Sequence, residues 1–494
     1  MKVSLAGFNV DYETLKEIVG NKMEKMSLTP EVFSAAYARI SRSPKSVTEL
    51  RRIARQEIKK ARRSNRKIIF EMGHHSVAEH AVFNFDIMGI SRLLTEEIER
   101  FRLSSYTEKS QRYIKLKGDF FIPKGIAKSR YLDRFKKVLH KGIEFYHKLY
   151  KRIIDYEVKR LGRTPTKEEK KRIALKANED ARYILSLSQK TQLGETINAR
   201  NLELLLRRFA SHELDEAREL GKKMFGLVKK KAPSIILFYR GNEFDKKTYP
   251  ELRKLIEGIK KKGKRLAEDD VCLVDWTKDA DTILIAVILH TSSEMDFNDA
   301  FKIAKSMDYN KRKTVIKKTF EHLELYDAVL REFEYIYLTF SLVVSASCFA
   351  QLKRHRQSTI TYQRYNPELG VTIPQSVYDV GMDKEFKEII QITDALFYQM
   401  QKELPVVSQY VLTNGHRKRV LLSVNARELY HISRLREDKY AQWEIRDKTI
   451  KMVNLAKGVM GLTLLLTGGK DRYPEIYKEV FGMNPKVTKL ILPS

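Results

Sequence analysis

The sequence predicts an α/β protein built as a tandem repeat, with two copies of a unit of roughly 240 residues. Two observations predict this fold. The order strand, short helix, Arg triplet, loop and Arg-Tyr occurs once in each half of the chain, within residues 81–113 and 332–365. The sequence Asn-Ala-Arg, followed by an amphipathic helix, also occurs once in each half, at 198–200 and 425–427. A chain of 494 residues is too long for one ordinary hydrophobic core, which fits two domains.

The segment AVFNFDIM, residues 81–88, alternates in the way a half-buried strand does. Phe83, Phe85 and Ile87 form its apolar face, and Asn84 and Asp86 lie on the other face. The N-terminal residues, MKVSLAGFNVDYETL, predict a first strand of the same half.

A helix is predicted directly after the 81–88 strand. Gly89 is expected to break the strand, and Ser91 to cap a helix that leads into the triplet Arg100-Phe101-Arg102.

The second half repeats this order. Residues 332–344 are strand-like, and Ser345 or Ser347 is expected to start a helix that runs to Lys353. The triplet Arg354-His355-Arg356 follows at once.

The distance from the Arg triplet to Asn-Ala-Arg is longer in the first half, which predicts a helical insertion at about 125–170. Gly162 is expected to end a helix over 128–161, and Thr164-Pro165 to begin the next one. The basic stretch 256–270 is the predicted linker between a first domain, 1–255, and a second domain, 271–494.

Composition limits the classes of protein that fit. The formal net charge of +31 favours polyanionic or phosphate-bearing ligands, without choosing between nucleic acid and nucleotides. No apolar run reaches the roughly 20 residues of a membrane span, so no membrane association is expected. With only Cys272 and Cys348 present, a disulfide framework is not predicted and a cytoplasmic location is expected.

Several common site motifs do not occur. Gly468-Gly469-Lys470 lacks the earlier glycine of a phosphate-binding loop, and no dinucleotide-binding glycine pattern follows a strand. His74, His75 and His80 are close in sequence, but they lack a ligand set with zinc spacing, so capping or core histidines are the nearer interpretation and no metal is expected.

The motifs together resemble the flavin-dependent thymidylate synthases (ThyX), whose signature is Arg-His-Arg, seven residues, then Ser. The first half has Arg100-Phe101-Arg102, then LSSYTEK, then Ser110. The stretch GHHSVAEHAVF, 73–83, is similar to the family's flavin-binding element, and ARYILSLS and TINAR are similar to its later ligand-binding segments. In the second half, SVNARELYHISRLREDKYAQWEI, 423–445, is the closest match. The resemblance implies two tandem ThyX-like units, each a twisted β-sheet flanked by helices.

The resemblance also implies the ligands of particular residues. FAD would be contacted from the first half by His74, Ser76, Glu79, Arg100, Arg102, Leu103, Asn198 and Arg200, and from the second half by Arg354, His355, Arg356, Asn425, Arg427 and His431. The uridylate would be held by Glu108, Ser110, Gln111, Arg112, Arg182, Gln351 and Arg436.

Within that set, Ser110, Arg112 and Arg436 would be catalytic. Arg436 matches the family arginine that polarises the pyrimidine ring, and Arg208 is its nearest counterpart in the first half. Guanidinium groups suit such ligands because they offer planar, permanently charged pairs of donors. Ser110 also has a simpler interpretation, as the cap of a turn.

Each half departs from the family pattern somewhere. Phe101 replaces the family's His. Glu97 stands in the first half where a Gln is expected to match Gln351, and Gln409 stands in the second half where an Arg is expected to match Arg182. The loop after Arg356 is interpreted as two residues shorter than the seven-residue loop after Arg102 in the first half. This interpretation aligns Tyr362 with Ser110. Because the family's site is shared between subunits of a homotetramer, complementary losses in fused copies are tolerable.

The implied reaction is conversion of dUMP to dTMP, with methylenetetrahydrofolate as carbon donor, flavin hydride as reductant and NADPH as electron source. A homodimer that forms a pseudo-tetramer is the expected assembly. Two alternatives stay open: a diverged flavoprotein that acts on another pyrimidine or none, and a basic protein that binds nucleic acid.

Overall fold

A computed structural model describes residues 1–11, 15, 29–39, 43–116, 118–259, 270–325 and 327–487. Within these residues the chain forms two four-stranded antiparallel sheets with many helices, which confirms the predicted α/β class. The strands are β1 (Lys2–Phe8), β2 (Val82–Ser91), β3 (Ser104–Glu108), β4 (Lys190–Asn198), β5 (Val271–Trp276), β6 (Tyr337–Ser345), β7 (Thr359–Tyr362) and β8 (Arg417–Asn425).

The helices of the first half are α1 (Glu31–Tyr37), α2 (Val47–Gln56), α3 (Ile58–Arg66), α4 (Arg92–Ile98), α5 (Lys124–Ala127), α6 (Leu132–Leu161), α7 (Lys167–Ala181), α8 (Ala199–Ala210), α9 (Asp215–Val228) and α10 (Glu243–Ile259). Those of the second half are α11 (Ala280–Thr291), α12 (Phe297–Ser306), α13 (Tyr309–Phe320), α14 (Ala346–Leu352), α15 (Gln375–Asp379), α16 (Asp383–Glu403), α17 (Ala426–Arg436), α18 (Trp443–Lys457) and α19 (Tyr473–Phe481). A π-helical turn covers Lys67–Glu71, and 3-10 turns cover His75–His80, Arg182–Ile184, Arg331–Tyr335, Pro367–Leu369 and Ser408–Val411.

Both sheets have the same strand order. The first is β1-β2-β4-β3, the second is β5-β6-β8-β7, and every neighbouring pair is antiparallel. Equivalent strands also have equivalent register, since Val82 pairs with Asn198 in the first sheet and Tyr337 with Asn425 in the second. The duplication predicted from the sequence is therefore present in the backbone.

Strand β2 confirms the predicted alternation. Phe83, Phe85 and Ile87 are buried, and Asn84 and Asp86 are exposed. The prediction for Gly89 was wrong, because β2 continues to Ser91. Gly89 has φ +69°, a conformation that favours glycine, and the register shifts there, so it forms a bulge rather than a strand end.

Both repeats start the helix after this strand in the same way. Ser91 and Ser345 are the N-cap residues of α4 and α14, as predicted. Each serine hydroxyl also donates to a buried carboxylate, Ser91 to Glu216 at 2.6 Å and Ser345 to Glu444 at 2.5 Å. The direction in which the chain enters the Arg triplet is thus set by the same polar contact twice.

The chain forms two compact units that are not contiguous in sequence. Met1–Gly263 and Pro374–Thr413 form the first unit, and Lys264–Ile373 and Asn414–Ser494 form the second. Helices α15 and α16 of the second repeat therefore belong to the first unit. There Phe386 packs against Phe145 of α6, with ring centroids 5.9 Å apart, and Tyr410 donates to Glu216 at 2.8 Å.

The length difference between the repeats lies in the helical region. Lys109 and Gln363 occupy equivalent strand positions 254 residues apart, and Lys190 and Arg417 occupy equivalent positions 227 residues apart. The extra residues of the first repeat therefore fall between Lys109 and Lys190, where α6 and α7 lie.

Helix α6 ends as predicted, at Gly162 with φ +64°. The predicted start of α7 was wrong. Thr166, not Thr164, is its N-cap, because Thr166 and Glu169 cap each other's backbone N–H groups in a capping box.

The predicted linker 256–270 coincides only partly with the described residues. Helix α10 includes 256–259, and 260–269 lie outside the described residues. Among the residues that the structure describes, no helix is both long and apolar enough to cross a membrane.

Candidate functional site

The two Arg triplets have the same pattern of exposure. The middle residue is buried, Phe101 at 7% exposed and His355 at 3%, while Arg100, Arg102, Arg354 and Arg356 are exposed. Each triplet lies just after its short helix, and the turn sends the middle side chain into the core. The flanking guanidinium groups are left at the surface, where an anion can reach them.

The first unit contains a buried group of charged side chains, which we call the arginine cluster. It consists of Arg92, Arg112, Glu179 and Arg182. Arg112 Nε donates to Glu179 Oε2 at 2.5 Å, and Arg182 Nε donates to the Glu179 carbonyl oxygen at 3.2 Å. Arg92 Nη1 donates to the Thr95 hydroxyl at 2.6 Å.

The arginines of the cluster act on one another electrostatically. Arg182 is fully buried, and this burial, together with the nearby charges of Arg112 and Arg92, lowers its pKa. Tyr183 and Glu179 act in the opposite direction. The guanidinium groups of Arg112 and Arg92 therefore lie close enough to Arg182 to lower its pKa, and Arg92 itself lies 3.5 Å from Glu96.

Glu108, Ser110 and Gln111 lie next to this cluster in sequence. Glu108 ends β3, and its carboxylate accepts from the Thr191 hydroxyl of β4 at 3.4 Å. The Ser110 oxygen accepts from the backbone N–H of Arg112 at 3.1 Å, so Ser110 does cap a turn. Gln111 is buried. The structure thus brings Arg112 and Arg182 together through Glu179 and places Ser110 one turn away.

The second unit contains a different arrangement around Arg436, which we call the His355–Arg436 pair. Arg436 Nε donates to His355 Nε2 at 2.9 Å, and Arg436 Nη2 donates to the Gln351 carbonyl oxygen at 3.3 Å. The predicted substrate residues Gln351 and Arg436 are therefore in contact. On the other side of the ring, His355 Nδ1 lies 3.5 Å from Glu428 Oε1.

His355 is held as a neutral imidazole. Burial, with the charges of Arg436 and His431, holds the pKa of His355 well below its usual range. Because Arg436 Nε is a donor, Nε2 of His355 must accept, which places the ring proton on Nδ1, facing Glu428. The pair fixes the tautomer of His355 and the direction of the Arg436 guanidinium.

Strand register shows which residues of the two repeats are equivalent. The backbone N–H groups of Lys109 and Gln363 bond to the equivalent residues Gln192 and Arg419, so the triplet and the following strand have the same length in both repeats. The interpretation of a shorter second loop was therefore wrong. Tyr362 occupies the position of Glu108, and Arg364 that of Ser110.

The first repeat has replaced both members of the His355–Arg436 pair. Helices α8 and α17 are both capped by the asparagine of Asn-Ala-Arg, and eleven positions further along they carry Phe209 and Arg436. Phe209 packs against Phe101 with ring centroids 6.0 Å apart. Arg208, the counterpart expected from the sequence, lies instead over the Phe101 ring at 5.7 Å.

The residues expected to contact FAD form equivalent surface groups in the two repeats. Arg200 pairs with Glu79 at 2.5 Å, and Arg427 pairs with Glu334 at 3.0 Å. Asn198 and Asn425 use their side-chain oxygens to cap α8 and α17.

The remaining residues of that set are mostly at the surface. His74, Ser76 and His431 are exposed, and Leu103 is 66% exposed. His431 also contacts the ring of His355, with centroids 5.9 Å apart. Within the part of the chain that the structure describes, no group of His, Cys, Asp and Glu could hold a metal ion.

Sequence reasoning missed Arg92, Glu179 and Glu428. Arg92 is the first residue of α4 and only 2% exposed, although an arginine after an N-cap serine is usually solvated. Two of its partners are local, since the Thr95 hydroxyl accepts from Nη1 and Glu96 lies 3.5 Å from Nη2. The spacing Arg-x-x-Thr-Glu could therefore have indicated them, whereas Glu179 and Glu428 contact residues distant in sequence.

The fold defines a duplicated α/β protein, and each unit contains a group of arginines that is at least partly buried. The family described as "Thymidylate synthase complementing protein" matches residues 23–234 and 272–460, which is most of the chain in two segments. The protein therefore belongs to this family, the ThyX family, with a duplicated domain.

Relatives of two kinds are similar to this chain. A flavin-dependent thymidylate synthase of Clostridium tetani is 30% identical over 226 residues, which are 44% of this chain and 87% of the relative. A UPF0159 protein of Thermoplasma acidophilum is 22% identical over 439 residues, covering 80% of this chain and 86% of the relative. A solved Helicobacter pylori ThyX in complex with FAD and dUMP is 19% identical, with a TM-score of 0.31, and covers 49% of this chain and all of that chain.

Proposed function

We propose that this protein is an FAD-dependent enzyme that converts dUMP to dTMP, with methylenetetrahydrofolate as the carbon donor and NADPH as the electron source. The observation that carries the proposal is the arginine cluster. Its Arg112 lies two residues after Ser110, the serine of the Arg-x-Arg, seven residues, Ser pattern in the first repeat. Family membership and the flavin-dependent synthase of Clostridium tetani support it.

The residues present suit FAD by the chemistry of their donors. In both repeats, exposed guanidinium groups flank a buried residue, and an Arg–Glu pair lies at the start of the following Asn-capped helix, exposed at Arg200–Glu79 and half-buried at Arg427–Glu334. Planar guanidinium groups match a pyrophosphate. We propose that Arg100, Arg102, Arg354, Arg356, Arg200 and Arg427 are the main contacts, with the polar residues named above around them. The chemistry that FAD supplies when bound is reduction of the transferred one-carbon unit.

The arginine cluster is the proposed phosphate site for dUMP. Arg112 and Arg182 share Glu179, and Arg92 adds a third positive group within electrostatic range. Arg92 Nη2 also lies 3.5 Å from Glu96 Oε1, so the nucleotide phosphate is proposed to bind beside the guanidinium groups of Arg112 and Arg182. Ser110 accepts from the backbone N–H of Arg112, so its hydroxyl proton is directed away from that bond and can be donated to a ligand.

Arg436 is proposed to polarise the pyrimidine. A guanidinium that cannot lose its proton stabilises negative charge that develops on the ring as a carbon electrophile adds at C5. His355 cannot share this role as a cation, because its pKa lies well below its usual range. It acts as a positioning residue, holding Arg436 Nε at 2.9 Å.

The proposed reaction replaces the hydrogen on C5 of dUMP with a methyl group. The C5 proton leaves, the methylene carbon bonds to C5, and its bonds to the folate nitrogens break so that tetrahydrofolate is released. Two electrons and a proton, supplied as a hydride equivalent from NADPH by way of FAD, would convert that carbon to methyl. The positively charged residues make the step easier by orientation and electrostatics, with no thiol required. Cys348 is consistent with this, because full burial raises its pKa well above the usual range and keeps the thiol protonated.

The test compares two matched arginine variants. Arg436→Ala is expected to lower turnover of dUMP at least about 100-fold while bound flavin is retained, since one preorganised electrostatic group is lost. Arg208→Ala, which removes the first-repeat arginine over Phe101, is the control and is expected to stay within about threefold of wild type. Undiminished activity in Arg436→Ala would contradict the proposed role.

We also propose that two chains associate as a homodimer, from the resemblance to a tetrameric family. Sedimentation equilibrium measures the assembly directly, and a mass of one chain at micromolar concentration would contradict it.

A further inference from the structure

The helical insertion of the first repeat has a strongly basic end. Helix α6 stops at Leu161, residues 162–166 form the connection, and α7 begins at Lys167. The two helices pack on each other there, with Lys176 Nζ 2.5 Å from Glu157 Oε1. Six exposed basic side chains lie on the last turns of α6 and the first turns of α7. We call them the basic tip: Arg152, Lys159, Lys167, Lys170, Lys171 and Arg172.

Ion pairing is uneven around the basic tip. Its neighbours Arg160 and Arg163 pair with Glu157 at 3.1 Å and with Glu169 at 2.6 Å. The six members of the basic tip take part in no ion pair with any residue that the structure describes. Because the stretch 151–172 has nine basic and four acidic residues, the tip presents a net positive charge to solvent.

Exposed lysines elsewhere in the chain show the contrast. Several of them pair with a carboxylate three or four residues away in sequence, a spacing that brings side chains together on a helix surface. These pairs are Lys302–Asp299, Lys311–Asp308, Lys318–Glu321 and Lys387–Asp383. The basic tip differs from these helices, because its positive charge is left for a partner outside the described part of the chain.

Three lysines of the basic tip lie where a helix disfavours them. Thr166 caps α7, and Lys167, Lys170 and Lys171 lie in its first two turns. The N-terminus of a helix carries a partial positive charge, so cations there are destabilising. Glu168 offsets part of this effect. The lysines therefore do not serve the helix, whereas an anion bound beside them would be attracted by the lysines and by the helix together.

An exposed tyrosine lies within the α6 part of the basic tip. Tyr156 is 37% exposed, and Arg152 and Lys159 lie four residues before it and three residues after it, on the same helix face. Asp155 is also exposed on this face. An aromatic ring between cations offers a stacking surface for a base beside contacts for the phosphates.

The second repeat does not share this feature. Its long helix in the corresponding region, α16, has three basic and five acidic residues. The second sheet nevertheless has the same strand order as the first. The fold therefore does not require a basic helical extension, which suits a role of its own for the basic tip.

From these observations we infer that the basic tip is an interaction surface for single-stranded nucleic acid, with its cations at the backbone phosphates and one base on Tyr156. An anionic membrane fits less well, because an interfacial helix needs an apolar face. Among the large apolar side chains that the structure describes between 148 and 172, only Tyr156 is substantially exposed. This surface is additional to the proposed reaction and does not depend on it.

The first test measures binding of a fluorescent oligothymidylate of about 20 nucleotides at several salt concentrations. The full chain is loaded with FAD and excess dUMP is present, so that small-ligand sites are occupied. Replacing Lys167, Lys170 and Lys171 together by Gln is expected to weaken binding at least about 30-fold at about 0.1 M salt. The slope of log K against log[salt] is expected to become shallower by about 2, since three phosphate contacts are lost.

The matched control removes the same charge from paired lysines of the second unit. Replacing Lys302, Lys311 and Lys318 together by Gln is expected to leave affinity within about threefold. Both triple variants are expected to keep the melting temperature of the wild type, because no buried contact is lost.

Three outcomes would overturn the inference. Equal weakening by the two triple variants would show that binding follows net charge rather than the basic tip. Negligible binding of the oligothymidylate at about 0.1 M salt would show that the tip does not hold nucleic acid. Tighter binding to vesicles that contain phosphatidylserine would assign the tip to a membrane surface.

A second measurement tests the stacking contact. Tyr156→Ala is expected to weaken oligothymidylate binding at least about fivefold with an unchanged salt slope, because a base loses its stacking surface and no phosphate contact is lost. Tyr309→Ala, at an exposed tyrosine of the second unit, is the control and is expected to have no effect beyond about twofold. Tighter binding of duplex than of single strand, or no loss in Tyr156→Ala, would contradict recognition of a single strand.

Discussion

At the scale of single residues, the informative comparison is between His355 and Phe101. Both are buried middle residues of an Arg triplet, but His355 accepts from Arg436 whereas Phe101 packs on Phe209. The first repeat has exchanged a polar pair for an apolar pair, and both solutions satisfy a buried position. Only the polar pair directs a guanidinium, so the second repeat supplies the polarising arginine of the proposed reaction.

Replacing His355 tests its positioning role. His355→Phe copies the first repeat and is expected to lower kcat about 10- to 100-fold, since a small misplacement of Arg436 is enough for such a loss. His355→Gln keeps an acceptor for Arg436 Nε and is expected to recover most of the activity. Steady-state kinetics with dUMP, together with the affinity for dUMP, measure both effects.

The contrast between the two variants is the control. A core defect would lower thermal stability and activity in parallel, and the affinity for dUMP would also fall. Equal losses of kcat in His355→Phe and His355→Gln, with no recovery by the acceptor, would contradict the positioning role.

At the scale of elements, strands β4 and β8 have the same register, but they bury different residue types at equivalent positions. Glu195 of β4 is 2% exposed and lies opposite Tyr106, and the equivalent residues in the second sheet are Leu422 and Ile360. Burial raises the pKa of Glu195 to about 8. The carboxyl is therefore protonated in the folded state at neutral pH, while in the unfolded chain it ionises near pH 4.5.

The raised pKa of Glu195 predicts a pH-dependent loss of stability. Below about pH 4.5 both states are protonated, and between that value and about 8 the folded state binds the extra proton, so stability falls as pH rises through this window. Glu195→Gln removes the loss and is expected to raise the free energy of unfolding by about 4 kcal/mol at pH 9 relative to its effect at pH 4.5. Urea unfolding at the two pH values measures it.

Glu388→Gln provides the matched control, because Glu388 is exposed on α16. Its effect is expected to stay within about 0.5 kcal/mol at both pH values. If Glu195→Gln had the same effect at pH 4.5 and pH 9, the buried neutral carboxyl would be contradicted.

At the scale of the whole molecule, duplication has been followed by separate changes in each repeat. The first repeat keeps Ser110 and the arginine cluster but has Phe101 and Phe209, and the second keeps the His355–Arg436 pair but has Gln409 at the position of Arg182. The second repeat also contributes α15 and α16 to the first compact unit.

The sequence predicted features that depend on local patterns. The alternation of β2, the serine caps of α4 and α14 and the glycine end of α6 were correct because each depends on residues close in sequence. Tyr362 was misaligned with Ser110 because the Gln-Arg-Tyr letters shared by 111–113 and 363–365 suggested an alignment that only hydrogen-bond register could correct. The Phe101–Phe209 pair joins distant segments, so no spacing indicated it.

The proposed reaction is methylation of dUMP at C5. Its most direct test is release of tritium from dUMP labelled at C5, with FAD, NADPH and methylenetetrahydrofolate present. Release that requires methylenetetrahydrofolate, and that disappears in Arg436→Ala, is predicted, because the C5 hydrogen must leave when the new carbon bond forms. Absence of release from protein that still holds flavin would contradict the claim.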